Sequence, residues 1–338
     1  MTRPCFLVIF ALSLYLVNPS LAAAQLSSTC QAALTGQRLT VIVPNAAGGG
    51  YDIYGRALAA VLDDMAGVQS SVVNMPAAGG LVAYTTLADS GPDELVVMVK
   101  NATDLVVADM QDSTAKWSER LQAIGVFHSE PSAWLGKPDL SLMTVQTLVA
   151  ASGSTNATVE FDLGGQVIGK EIKLITGYAG SKDLEAAVLR GEADITSFGL
   201  TSALKAAKSG DLKVQLVLDD KANPQAPGVP FIAGRDGLAA SIAKDLPEGE
   251  RAKRIEMAGI VKDLTYAVRT VFTHSNLRPD LNTCLTQAVT DAIQSPAFAE
   301  TSQAQGREVA PMDPADAANL MASQKASAAK FAAMVAAR

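Results

Sequence analysis

Between residues 38 and 100 the chain alternates short β-branched runs with helical stretches, and no other feature of the sequence constrains its fold so tightly. Residues 38–44 (RLTVIVP) read as a buried strand that a proline ends. Residues 45–50 are a glycine-rich loop. Tyr54, Ala57, Leu58, Val61, Leu62 and Met65 then recur at helical spacing, with Asp63 and Asp64 on the wet side, and Gly67 ends the helix. Residues 70–74 predict a second strand, 75–80 a second loop of small residues, 81–88 a second helix, and 94–100 (ELVVMVK) a third strand. Strand–helix–strand–helix–strand is the pattern of a doubly wound, parallel α/β sheet.

The pattern returns further on. Strands are expected at 159–162, 172–176, 193–198 and 213–218, with helices at 182–190 and 202–208 between them. Pro224, Pro227 and Pro230 with Gly228 mark a surface loop. Residues 237–257 read as one or two surface helices, and the tail as helix at 282–294 and from 314 onward. Two α/β units with a helical tail predict a two-lobed clamshell, with crossings near 123–132 and 265–273. Lobe 1 would comprise 25–128 and 268–338, and lobe 2 residues 129–267, each a doubly wound sheet with flanking helices.

Residues 1–24 stand apart. Arg3 is their only charge, residues 5–17 are almost wholly apolar, and Ala22-Ala23-Ala24 forms a small-residue cleavage site. This reads as a signal peptide cut between Ala24 and Gln25, and it predicts a periplasmic protein. The formal charge of −7 becomes one unit more negative when Arg3 is lost, and no Lys/Arg stripe is present to favour nucleic acid. Cys30 and Cys284 remain after cleavage. An oxidising compartment favours a disulfide between them, with a pair of buried thiols as the alternative.

Chemistry concentrates in the two loops. Asn45-Ala46-Ala47-Gly48-Gly49-Gly50 lies between a strand and a helix, so glycine backbone and a helix N-terminus together favour an anion. Asp52 is expected to brace the loop from the first helical turn. A phosphate-binding P-loop needs Lys-Ser or Lys-Thr where Tyr51-Asp52 stands, and the spacing fails the dinucleotide fingerprint. Asn74-Met75-Pro76-Ala77-Ala78-Gly79-Gly80 repeats the arrangement one strand over. His128 and His274 sit beside no cluster of metal-ligating residues, and no G-x-S-x-G elbow is present, so neither cofactor nor enzymatic activity is expected. Trp117 and Trp134 read as packing residues.

In sequence the chain resembles the substrate-binding proteins of tripartite tricarboxylate transporters, the Bug-type receptors. Pro44, Ala47, Gly48, Gly49 and, one position late, Asp52 match the first loop motif; Asn74, Pro76, Ala78 and Gly80 match the second. Gly91-Pro92-Asp93, Tyr178-Ala179-Gly180-Ser181, Gly191-Glu192-Ala193-Asp194 and Pro227-Gly228-Val229-Pro230 follow in the family's order. The resemblance implies a type II periplasmic-binding-protein fold of the Venus-flytrap kind, holding a small carboxylate between the lobes and handing it to the membrane subunits of a transporter. A monomer is expected. The implied ligand-binding residues are Asn45, Ala46, Ala47, Gly48, Gly49, Asp52, Asn74, Ala77, Ala78, Gly79 and Gly80 from lobe 1. Tyr178, Ser197, Gly199 and Thr201 would approach from lobe 2. A ligand sensor feeding a signalling system is the alternative role. The chain also departs from the pattern. Asn45 stands where relatives carry an aromatic residue, Ser197-Phe198-Gly199 replaces Phe-Asp-Ser, residues 152–172 look short by a helix, and 237–257 looks inserted.

Overall fold

The computed structural model describes residues 26–153 and 157–336. The expected signal peptide lies outside the described residues. Ten strands are described: β1 (Arg38–Val43), β2 (Gln69–Asn74), β3 (Leu95–Asn101), β4 (Leu121–Glu130), β5 (Ser132–Gly136), β6 (Thr147–Ala151), β7 (Glu171–Ile175), β8 (Ile195–Gly199), β9 (Lys213–Val217) and β10 (Ala267–His274). They form two five-stranded sheets, ordered β2-β1-β3-β10-β4 and β7-β6-β8-β5-β9. Each sheet is built alike. Three strands run parallel, and an antiparallel fourth separates them from the last. The antiparallel strand is in both cases the one beside a passage between sheets: β5 as the chain enters the second sheet, β10 as it returns.

Burial follows from this layering. Six of the seven residues of β3 are buried, as a strand covered by helices on both faces requires, whereas edge strand β2 alternates. The helix Gly50–Ala66 lays Tyr54, Ala57, Leu58, Val61 and Leu62 on the first sheet. The second sheet packs Trp134, Leu148, Ala150 and Ile195 against Ile260, Val261 and Leu264 of the helix Glu248–Thr265.

Two expectations are corrected here. Residues 159–162 are not a strand: Thr158–Leu163 is a wide helical segment that runs into Gly164–Ile168, so the helix thought missing is present. Val159, Phe161 and Leu163 are all buried, and Phe161 stacks on Trp134 with ring centroids 5.6 Å apart. A β-branched run with hydrophobic residues at every second position looks like a strand; here tertiary burial of the whole segment overrides that local pattern. The first parallel strand of that sheet is instead β6, which the reading along the chain passed over.

The chain passes between the sheets at Pro131 and again at Tyr266. Ser132 Oγ donates to the Thr265 carbonyl at 2.6 Å and ties the two passages together. The C-terminal helix Pro314–Ala336 lies over both bodies. Ala317, Leu320 and Met321 pack with the first, and Ala328, Phe331 and Met334 with the second. A disulfide joins Cys30 to Cys284, so the helices Ser28–Leu34 and Pro279–Gln294 are cross-linked; of the two states left open for these residues, the structure holds the disulfide. Among the described residues no helix is long and apolar enough to cross a membrane.

Candidate functional site

The loop after β1 is rigid because its own side chains hold it. Asp52, in the first turn of the following helix, accepts from the Gly48 N–H at 2.8 Å, from Arg56 Nε at 3.0 Å and from Asn74 Nδ2 at 3.0 Å. Asn74 Nδ2 also donates to the Asn45 carbonyl at 2.9 Å, so the end of β2 is stitched to the loop after β1. Burial opposes the charge on Asp52, but these hydrogen bonds outweigh it and hold the carboxyl below its usual range. Gly48 takes φ +78° and Gly80 φ +99°, and a side chain at Gly80 would press on Pro44 at 3.0 Å. Glycine is required at both positions.

A cavity of about 150 Å³ opens between the two sheets. From the first lobe it is lined by Asn45, Gly49, Gly50 and Tyr51, by Lys100, Asn101 and Asp104 at the end of β3, and by Arg269 and Arg307. From the second lobe come Ser132, Glu160, Tyr178, Gly180, Ser197 and Gly199, among others. Two helix starts face it, Gly50 after the extended Gly49 and Ser181 after the extended Gly180. Their first-turn amides are donors that a helix leaves unpaired. The lobes touch at its edge, where the Ala46 N–H donates to the Ala179 carbonyl at 3.1 Å. Beyond that contact lies a second cleft, lined by Pro76, Ala77, Ala78, Gly79, Gly177, Tyr178 and Ala179.

The expected site residues therefore separate into groups. Asn45, Gly49, Tyr178, Ser197 and Gly199 line the central cavity. Ala77, Ala78 and Gly79 line the neighbouring cleft, which shares Tyr178 with it. Ala46 forms the contact between the lobes, and exposed Ala47 lines neither space. Asp52, Asn74 and Gly48 form the brace just described, and Gly80 is packed under Pro44. Thr201 is in neither lining; its N–H donates to Glu130 at 2.7 Å and its hydroxyl to Glu308 at 3.4 Å. Gly199 sits where a methyl group would overlap the carboxylate of Glu130 and the guanidinium of Arg269.

The charged lining escaped the reading of the sequence. Lys100 and Asp104 form a buried pair at 2.8 Å. Arg269 is bonded to Glu130, and His128 Nε2 stands 3.7 Å from the other Glu130 oxygen. Burial works against the charge on Glu130, but the Arg269 guanidinium, the nearby His128 ring and the hydrogen bond from the Thr201 N–H hold its carboxyl far below the usual range. Arg307 is 9 % exposed and its Nη1 donates to Ser202 Oγ at 2.7 Å; among the described residues no acid pairs with it. Glu160 is 5 % exposed, and burial pushes its carboxyl up to about 7. Lys100 and Arg269 each stand as a lone charge in an apolar run, which is a signal of a buried, functional charge; Glu160, with Asp162 two residues on, carries no such mark. Arg307 carries no such signal.

This architecture, two α/β lobes around one polar cavity with two passages between them, is that of a type II periplasmic-binding-protein clamshell. Solved structures share it. MatC from Rhodopseudomonas palustris with bound malate superposes with a TM-score of 0.64 at 18% identity, covering 86% of this chain and 98% of that one. An R. palustris protein solved with adipate gives 0.66 at 17% identity over 88% and 97%, and the periplasmic binding protein BugD gives 0.63 at 17% over 88% and 96%. In sequence, a UPF0065 protein of Agrobacterium vitis is 26% identical over 208 residues, 57% of this chain and 60% of its own length. BugT of Bordetella pertussis is 24% identical over 212 residues, 58% and 64%. The chain thus spans less than two thirds of the length of these curated relatives. No family model matches. In sequence, then, the chain is similar to Bug-type and UPF0065 proteins over somewhat more than half its length.

Proposed function

We propose that the chain is a periplasmic solute-binding protein that captures a small organic carboxylate between lobe 1 (25–128 and 268–338) and lobe 2 (129–267). It delivers that ligand to a tripartite tricarboxylate-type membrane transporter, and it binds rather than catalyses. One observation carries the reading: Arg307, a buried cation without an acidic partner among the described residues, lines the cavity against which the helix start at Gly49–Gly50 is set. A buried, unpaired guanidinium is costly unless an anion meets it, and a ligand carboxylate is the anion that a planar fork of donors fits. Asn45, Gly49, Gly50, Ser181 and Arg307 would hold it. The loop Ala77–Gly80 shapes the adjoining cleft and would widen the entrance when the Ala46–Ala179 contact parts. That the similar structures were solved with malate and with adipate supports a ligand of this class.

Thermal stability of the processed chain against a panel of mono-, di- and tricarboxylates, amino acids and aromatic acids tests this. A true ligand at about 100 times its dissociation constant stabilises by about 2.7 kcal/mol. Arg307→Gln is expected to abolish most of that shift. No shift with any acid in the panel, or an undiminished shift in the variant, refutes the assignment.

A further inference from the structure

Matching the charges around the central cavity leaves two groups over. Lys100 is neutralised by Asp104 and Arg269 by Glu130. Among the described residues Arg307 has no acid within ion-pair distance, Glu130 and Glu185 acting on it only from further away, and Glu160 has no cation; both line the same cavity. Glu160 Oε1 is buried with no hydrogen-bond partner among those residues. The Ser197 hydroxyl and the Trp134 indole face the carboxyl, and Asp104 is the one charged group among the described residues that acts on it. The segment carrying Glu160 packs on the helix Glu248–Thr265 and on β7, which present Met257, Ile260, Val261, Leu264 and Ile172 there, all apolar. Burial outweighs the Ser197 hydroxyl and the Trp134 indole, the neutral donors that favour ionised Glu160, and with no cation beside it among the described residues the carboxyl is pushed up to about 7.

A ligand bearing only carboxylates satisfies Arg307 but brings further negative charge towards Glu160 and Asp104. A ligand with one carboxylate and one ammonium satisfies both leftover groups at once. We propose that the cavity selects a small zwitterionic amino-carboxylate, its carboxylate on Arg307 and its ammonium donating to the free oxygen of Glu160. This rests on the carboxylate-binding reading above and narrows it. Binding of the ammonium stabilises ionised Glu160, so the group gives up its proton when the ligand enters at low pH. Affinity then rises as pH climbs through about 7, by about tenfold between about pH 6 and about pH 8.

Isothermal titration of the processed chain with 2-amino acids and with the same acids lacking the amine decides the matter. The amine-bearing ligands are expected to bind at least about tenfold more tightly, with proton release at about pH 6 visible as a dependence of the heat on buffer. Glu160→Gln, nearly isosteric, is expected to remove both the preference and the pH dependence, while Arg307→Gln weakens acids of either kind. Should Glu160→Gln fail to fold, the matched ligands and the pH series on the native chain decide alone. Amine-free acids binding as tightly as their amino counterparts, or a preference that survives Glu160→Gln, overturns this inference and leaves the carboxylate reading standing. If no acid of either kind binds, both fall.

Discussion

Gly199 shows how a residue can be indispensable to a site it does not touch chemically. Its φ of −56° is open to any residue, so glycine is not there for conformational freedom. It is there because a methyl group would overlap the buried Glu130–Arg269 pair. Separating a buried pair leaves two uncompensated charges, which costs about 3–5 kcal/mol when one partner is removed. Gly199→Ala is therefore expected to destabilise by about 2–4 kcal/mol in denaturant titration. Gly259→Ala is the control. It lies inside the helix Glu248–Thr265 with nothing within 4 Å of the added carbon, and it should stabilise by about 0.5–1 kcal/mol. Equal losses in the two variants would show that the pair is not what Gly199 accommodates. Asp52 braces its loop as its place in the first helical turn predicts, and Asn74, legible only as a motif position, ties the two loops to each other.

Among the elements, the C-terminal helix Pro314–Ala336 has the most consequence for the clamshell, since it packs on both bodies. Ser327 Oγ donates to Asp263 at 2.6 Å, and Gln324, fully buried, lies by the Tyr266 carbonyl at the second passage. Ala328 is buried in the second core, whereas Ala326 on the same helix is exposed. Ala328→Asp places an unpaired charge among Val107, Val261 and Leu264, and is expected to lower stability by about 3 kcal/mol or more; Ala326→Asp should change it by less than about 0.5 kcal/mol. Comparable midpoints in urea for the two variants would mean that this helix is not docked as described. At this scale the strands with continuous apolar runs were readable to within a residue or two, as β1 and β3 demonstrate. Residues 147–151 and 158–163 were not. A short TLVAA run has no distinctive period, and β-branched residues in TVEFDL imitate a strand while the sheet beside them demands a helix.

For the molecule as a whole, the disulfide spans 254 residues of sequence, from the first described helix to one of the last in lobe 1. Both cysteines are 5 % exposed, so the bond closes the chain from within the first core. A link across so long a loop restricts the unfolded ensemble strongly, and its loss is expected to cost about 2–5 kcal/mol. The double variant Cys30→Ala, Cys284→Ala should unfold at correspondingly lower denaturant, and reductant should leave its midpoint unchanged while lowering that of the native chain. If reductant moves both midpoints equally, the disulfide is not the source of the difference.

Sequence alone determined what neighbours along the chain can settle: alternating strands and helices, glycines where the backbone turns through positive φ, and small residues at helix starts. These depend on contacts within a few residues, so they are written locally. Only the tertiary structure decided which charges meet. Arg269 meets Glu130 only because β10 returns beside β4, and Glu160 and Arg307 line one cavity only because two separately formed sheets face one another across Pro131 and Tyr266. Coulombic pairing acts through space and takes no account of sequence separation, and that is why the glycine-rich loops could be read in advance and the charges gathered around the cavity could not.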